Sequence, residues 1–425
     1  MTKIFKSLST LLTVFILLFF AEKTISCSMY KLTVNGKTMV GGNYDAYYLT
    51  TKIWFENGKP GEYGAVFSGA RYDGANGFAP QSGMNEFGLA FSGAAAPPSE
   101  KKGVIVKPGI LSRTAYLKDI LHKCKTVEEV KTYISRHDYG YFTADVFLFA
   151  DKSGKYLIVE PDTMTTGNEP KCVLSNFCPS VTKESDALKM ARYRKGVEFL
   201  KNKIDTSLAF CTALSDTMHV CREKIGDGTL LTCIRDLNEG ILYYYFYHDY
   251  KHPVKFNLKD ELSKGDHMYE VPKLFPLNAE YEKLRNYKTP MNSPSILAFM
   301  LISVVIFLFS ALFFLISFFR KRKTARYSYL KLIVFALGIS MSFYALLLTR
   351  NENVFYFPAP YGEPLFAAYI PFAALLLIIP LAIFNRKIFK DNTWGRFSKW
   401  LFTLTNILYL LFIILFGYWG LFNIF

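Results

Sequence analysis

Histidine is scarce in this chain. The 425 residues include six, His122, His137, His219, His248, His252 and His267, and their dispersal disfavours a His-built metal site and leaves no evident Cys–His dyad. No GxGxxG, Walker loop, HExxH or zinc-type CxxC pair is present, so the signatures of dinucleotide binding, phosphate cradling and common zinc chemistry are missing. No cofactor and no metal is expected. Charged residues make up 20% against 51% hydrophobic, a balance high in apolar residues for a soluble domain. The excess gathers in the last third of the chain.

Basic residues outnumber acidic ones, giving a formal net charge of +15. A nucleic-acid partner is the obvious first thought, and the distribution argues against it. Residues 1–26 carry +2, residues 291–425 carry +9, and the long segment 27–290 carries +4. The basic excess sits beside hydrophobic runs, where it reports orientation in a membrane.

Residues 1–26 read as a secretory signal peptide. Lys3 and Lys6 form a positive start, Leu11 to Phe20 an apolar stretch too short to span a bilayer comfortably, and Thr24 and Ser26 a small-residue cut site before Cys27. A Cys at such a site could instead be the lipidated Cys of a bacterial lipoprotein, but Thr24 stands where Leu is usual.

Four apolar runs follow, at about 295–319, 329–348, 365–384 and 399–422, each the length a helix needs to cross a bilayer. Pro371 and Pro380 fall inside the third and are expected to kink it. No ionisable residue lies deep inside the runs, which disfavours a transporter or proton relay. The loop 320–328 holds Arg320, Lys321, Arg322, Lys323 and Arg326, and the loop 385–398 holds Arg386, Lys387, Lys390 and Arg396; the loop 349–364 holds only Arg350. The positive-inside rule assigns the first and third loops to the cytoplasm and hence 27–290 to the other side. The signal segment implies the same side independently. The expected organisation is therefore a signal peptide over 1–26, a large extracytoplasmic domain over 27–290 and a membrane domain over 291–425.

The seven cysteines, at 27, 124, 172, 178, 211, 221 and 233, all fall in the segment expected outside the cytoplasm, where disulfides are permitted. The odd count leaves one thiol over. With Cys27 free, six remain, and Cys172–Cys178 and Cys211–Cys221 are close enough in sequence to pair, though spacing does not decide connectivity.

The segment after Cys27 opens with a hairpin signal. Tyr30–Val34 and Lys37–Gly41 flank Asn35-Gly36, the strongest short turn cue. Pairing about that turn sets residue 27 opposite residue 44 and returns Asp45 beside Cys27. Helices are expected over Ser112–His122, Val127–Arg136 and Asp186–Lys203, a second hairpin over Asp145–Glu160, and a Tyr-rich strand over Ile241–His248. Strands mixed with runs of helix indicate α+β architecture rather than alternating βαβ.

A Cys made N-terminal by cleavage carries its own base. Its α-amine, with an unperturbed pKa of about 7.7–8.0, is partly neutral near physiological pH and can take the thiol proton. The thiolate can then attack an amide carbonyl and form a thioester, with no need for a histidine.

The order of motifs resembles the choloylglycine hydrolase, penicillin V acylase and acyl-coenzyme A:6-aminopenicillanic acid acyltransferase group of N-terminal-nucleophile hydrolases. The matching pieces are Cys27-Ser28, Gly41-Gly42-Asn43-Tyr44-Asp45, Gly83-Met84-Asn85-Glu86-Phe87-Gly88-Leu89, Leu174-Ser175-Asn176-Phe177 and Ala191-Arg192-Tyr193-Arg194, with a late Lys264-Gly265-Asp266-His267 similar to the linear-amide members. The resemblance covers about 27–276. It implies a four-layer αββα sandwich, here followed by four transmembrane helices. It also implies that Cys27 is the nucleophile, that Asp45 orients the α-amine, that Asn176 donates to the oxyanion, and that Arg192 favours the thiolate. Alone, Asn176 would read as a turn residue and Arg192 as a solvated helix position.

Two departures stand out. The arginine that bile-salt members usually carry before the Asn of the Asn-x-Asp stretch is Gly42, and their second active-site Asn falls in Ala94-Ala95-Ala96-Pro97. The first puts conjugated bile-salt hydrolysis in doubt; the second removes a polar contact and could shift the oxyanion site to backbone N–H groups. The expected function is hydrolysis of a small linear, non-peptide amide, such as an N-acyl amino acid, N-acyl amine or penicillin V, outside the cytoplasm. The alternatives are acyl transfer through the same thioester and a non-catalytic ligand-binding or sensor protein.

Overall fold

The structure, a computed structural model, describes residues 27–45, 51–97, 112–137, 144–222, 227–321, 325–350, 353–356 and 365–422. The signal segment expected over 1–26 lies outside the described residues, as do parts of the loops between the expected spans. The chain divides into two compact units, one within Thr24–Arg285 and the other built from Asn286–Phe425.

In the first unit the chain forms β1 Cys27–Val34, β2 Lys37–Asp45, β3 Lys52–Glu56, β4 Ala65–Gly69, β5 Ser82–Asn85, β6 Ala90–Ala95, β7 Asp145–Ala150 and β8 Tyr156–Val159. It continues with β9 Met164–Gly167, β10 Lys171–Ser175, β11 Cys221–Arg222, β12 Asp227–Asp236, β13 Ile241–Phe246, β14 Asp249–Asn257 and β15 His267–Glu270. These make two antiparallel sheets. The first has the order β10-β1-β2-β12-β13-β14, with β11 on β12; the second runs β15-β3-β4-β5-β6-β7-β8-β9.

The first hairpin forms as expected. Asn35 and Gly36 both take positive φ, at 50° and 76°, the pair of angles a two-residue turn needs to match strand twist. The register pairs Val34 with Lys37 and, at the far end, Cys27 with Tyr44.

Alternation along the strands sorts side chains into layers. On β7, Phe147 and Phe149 join one core and Val146 and Leu148 another. The first of these cores packs β-strand aromatics, including Phe67 and Phe91, under the helices Arg113–Lys123 and Val127–Ser135. The second lies between the sheets and holds Cys27, Met29 and Leu174 of the first sheet against Ala94, Val146, Leu148 and Ile158 of the second. A third core packs Tyr30, Leu32, Met39 and Ile234 under Leu200, Cys211, Leu214 and Met218, which belong to or follow the helices Ala191–Phe199 and Leu208–Met218. Three cores between four layers give the expected αββα sandwich.

Local expectations largely hold. Ser112 caps the first helix by accepting from the Ala115 N–H at 3.2 Å, and Thr126 caps the second by accepting from Glu129 at 3.2 Å. The single helix expected over Asp186–Lys203 is instead two, Glu184–Ala187 and Ala191–Phe199, separated where Met190 takes an extended conformation. Ala187 and Arg192 are both buried. Five positions along one unbroken helix would set them on different faces, and the break lets both turn inward. The expected strand Ile241–His248 ends at Phe246, because Tyr247 and His248 take positive φ in a tight turn.

The second unit contains four helices long and apolar enough to cross a membrane: Pro294–Arg320, Tyr329–Leu348, Phe366–Lys390 and Arg396–Tyr418. Their positions match the four expected runs, with the third extending further and the fourth starting earlier. Pro380 lies inside the third helix, whereas Pro371 sits in the first turn of its α-helical part, Ile370–Lys390, where its missing N–H costs nothing. Gly338 lets two helices approach closely: a Cβ there would lie 3.1 Å from the Phe307 carbonyl oxygen. Lys331, near the start of the second helix, turns its ammonium to the Ser317 carbonyl at 3.4 Å and over the Trp394 ring at 4.9 Å.

Candidate active site

Cys27 begins β1, which lies one strand in from the edge of the first sheet, between β10 and β2. Its side chain points between the sheets and is 8% exposed. Its carbonyl accepts from Ser175 Oγ at 2.7 Å, and its N–H donates to Asn176 Oδ1 at 2.6 Å. Asn176 follows β10 directly, so the β1–β10 register carries its amide to the Cys27 nitrogen. The other end of that amide, Nδ2, donates to the Ala95 carbonyl at 2.6 Å. A carbonyl can only accept, so this pair of neighbours fixes which end of the Asn176 amide faces which.

Asp45 ends β2. One carboxylate oxygen accepts from Thr229 Oγ1 at 2.6 Å; the other meets Arg192 Nη1 at 3.1 Å. The Arg192 and Asp45 side chains are 7% and 5% exposed, so this ion pair is out of water. Removing one partner of such a pair strands the other charge at a cost of about 3–5 kcal/mol. The four residues singled out in the sequence thus come together, although 149 positions separate Cys27 from Asn176 and 147 separate Asp45 from Arg192.

Electrostatics around the sulfur run in both directions. Burial pushes the Cys27 thiol up to about 12, and the charges of Asp45 and Asp145 add to that push; the Asp45 backbone N–H and the Arg192 guanidinium pull it down. Asp145 is itself raised by burial, against the opposing pull of Arg113 and Arg71. Arg113 Nη1 reaches its carboxylate at 2.5 Å.

Other residues of the site carried no signal in the sequence. Gln81, just before β5 in the second sheet, directs Nε2 to within 3.8 Å of Cys27 Sγ. Thr229 reaches Asp45 only through the pairing of β12 with β2. Ala94, Ala96, Phe177 and Cys178 share the core cluster of Cys27, with Met190 and Tyr193 packed against it, which gives the sulfur an apolar wall. The departure at Gly42 has a steric counterpart: a Cβ there would stand 2.4 Å from Tyr44 Oη, so the tyrosine occupies the space of any larger side chain. Tyr44 Oη in turn shares a hydrogen bond with Ser92 Oγ at 2.7 Å across the sheets. Cys27, Cys124, Cys172, Cys178, Cys211 and Cys233 are free thiols, so neither Cys172–Cys178 nor Cys211–Cys221 is bridged. Among the described residues no cluster of His, Cys, Asp and Glu could hold a metal ion.

The chain matches no family model and no curated protein. Among solved structures it is similar to a hydrolase and an acylase. One variant of conjugated bile acid hydrolase from Clostridium perfringens is 18% identical, with a TM-score of 0.47, covering 60% of this chain and 99% of that one. A second variant of the same enzyme is 17% identical, with a TM-score of 0.45, covering 59% and 99%. Penicillin V acylase from Agrobacterium tumefaciens is 15% identical, with a TM-score of 0.43, covering 58% and 91%.

Proposed function

We propose that this protein is a membrane-anchored hydrolase of small linear amides whose nucleophile is Cys27, activated when removal of residues 1–26 turns its nitrogen into an α-amine. The observation that carries the reading is the setting of that nitrogen: Asn176 Oδ1 holds it at 2.6 Å, beside a thiol flanked by the buried Asp45–Arg192 pair. In the uncut chain the nitrogen is an amide and cannot accept a proton. In the processed chain it becomes a base on the same residue as the thiol.

The steps follow from that pairing. The α-amine takes the thiol proton, and Sγ adds to the substrate carbonyl carbon while the π electrons move to oxygen. The resulting oxyanion collapses, the C–N bond breaks, and the α-ammonium returns its proton to the leaving nitrogen. The acyl group remains on Sγ as a thioester. Water then adds to it with loss of a proton to the α-amine, the C–S bond breaks, and the thiolate recovers that proton as the carboxylic acid departs. Arg192 opposes the rise that burial and Asp45 impose on the thiol. The apolar wall of Ala94, Ala96 and Phe177 suits a hydrocarbon or aromatic acyl group.

The four apolar helices supply the anchor. The Arg- and Lys-rich loops on either side of the second and third helices support a cytoplasmic position for those loops, and so an extracytoplasmic catalytic domain.

The test is hydrolysis of a panel of penicillin V, N-acyl amino acids and N-acyl amines by the purified full chain and by Cys27→Ala, with intact-mass analysis of the same samples. The processed protein is expected to begin at Cys27 and the variant to be inactive. Equal turnover by the two forms, or active protein that begins at Met1, overturns the proposal.

A further inference from the structure

We propose that Gln81 is a catalytic oxyanion donor, its Nε2–H binding the oxygen that becomes negative when Cys27 Sγ adds to a carbonyl. This rests on the reading of Cys27 as nucleophile and assigns it a partner from the opposite sheet.

Three observations point to Gln81. First, its amide faces the sulfur, with Nε2 3.8 Å from Sγ. Oxyanion donors stand about 2.7–3.1 Å from the position the oxygen will occupy, not from the nucleophile. A donor at the long end of hydrogen-bond reach of the sulfur leaves room for that oxygen on its own side of the new C–S bond.

Second, the other polar side chains of the site are engaged elsewhere. The Nδ2 of Asn176 donates to Ala95 O at 2.6 Å while its Oδ1 faces the Cys27 nitrogen. Arg192 Nη1 is held by Asp45 at 3.1 Å. The side chains of Ala94 and Ala96, which pack in the same cluster as Cys27, are methyl groups, and the Ala96 N–H is engaged by the Ala144 carbonyl at 2.9 Å.

Third, Gln81 is rooted in a rigid element. Its backbone N–H donates to Ser68 O at 2.8 Å, and its carbonyl accepts from the Gly93 N–H at 2.9 Å. The ladder therefore holds its Cα on both sides, and the side chain bridges from the second sheet to the first. A donor positioned before the reaction spends no energy on reorganisation as charge develops. In the step itself the Sγ–C bond forms, the carbonyl π pair moves to oxygen, and Gln81 donates a hydrogen bond without transferring a proton.

The experiment uses the processed full chain in detergent, with 4-nitrophenyl octanoate as acyl donor and iodoacetamide as a thiol probe that forms no oxyanion. Wild type, Gln81→Met and Cys27→Ala are compared by single-turnover release of 4-nitrophenolate and by mass spectrometry of Cys27 alkylation. Met matches Gln in length and has no donor. The expected result is acylation of Gln81→Met slower by about a hundredfold to a thousandfold, with its alkylation rate unchanged. If Gln81→Met acylates as fast as wild type while Cys27→Ala is dead, Gln81 is not the donor and the Cys27 proposal stands. If acylation and alkylation fall together, Gln81 acts on the thiol or its packing, and the oxyanion role is overturned. If Cys27→Ala releases nitrophenolate as fast as wild type, both proposals fall.

Discussion

The thiol of Cys27 should be chemically silent until the chain before it is cut, and the size of the effect can be worked out. Burial, reinforced by Asp45, pushes this thiol up to about 12. A free cysteine has a pKa of about 8.5 and is roughly one-quarter thiolate at pH 8, whereas a group titrating near 12 is thiolate in about one molecule in ten thousand. Only the thiolate is alkylated, so Cys27 of uncut protein should react with iodoacetamide on the order of a thousandfold more slowly than a free cysteine at that pH. The assay is mass-spectrometric labelling of full-length protein prepared without processing, over a pH series, with an added cysteine-containing peptide as an internal reference. Cys27 labelling should climb about tenfold per pH unit up to at least pH 10. A plateau near pH 9 would refute the electrostatic argument, because limited access lowers the whole curve without moving its bend. Protein that begins at Cys27 should label faster at pH 8, since a neighbouring α-ammonium favours the thiolate.

Other outcomes follow from the same structure. Asp45→Asn leaves Arg192 without its buried counter-charge and should cost about 3 kcal/mol or more in chemical denaturation, together with loss of amide hydrolysis. Gly42→Ala sets a methyl 2.4 Å from Tyr44 Oη, so it should destabilise by about 1–3 kcal/mol, with part of the loss recovered in the Gly42→Ala, Tyr44→Phe double variant. The half-buried Glu56–His122 pair should give stability a pH window. Burial raises Glu56 but hydrogen bonds from His122 and Lys118 outweigh it and lower it; burial lowers His122 but its bonds to Glu56 and Tyr63 raise it. A raised histidine contributes below its unfolded pKa and loses the contribution as pH climbs through its folded value. A lowered carboxylate contributes above its unfolded pKa and loses the contribution as pH drops through its folded value. The pair is therefore strongest from about pH 4.5 to 6.5. His122→Asn should flatten the alkaline side of a melting-temperature profile.

What could be read from the sequence was what local chemistry determines. The Asn35-Gly36 turn admits one register, and counting outward from it pairs Cys27 with Tyr44, as observed. The four apolar stretches announce themselves by length and composition, and the structure forms a long helix in each. The convergence of Asn176 and Arg192 on Cys27 and Asp45 came only from the order of motifs, because no spacing rule links residues so far apart. The helix break before Ala191 was hidden, since the apolar spacing of Leu188, Ala191, Val197 and Leu200 reads as continuous while packing sets Ala187 and Arg192 on a common side. Gln81 and Thr229 had no local signature. The first reaches Cys27 from the opposite sheet, and the second meets Asp45 across 184 positions of sequence.

The two-residue turn at the closed end of the first hairpin lies about 25 Å from the sulfur, eight residues along an extended strand. A slip of β1 by a single place in the sheet would exchange its inner and outer aspects. The thiol would then point at the outer helices, where Tyr30 and Leu32 now lie, with every atom of the chemical machinery still encoded. A remote, chemically inert turn, by helping to set that register, therefore helps decide which way the sulfur faces.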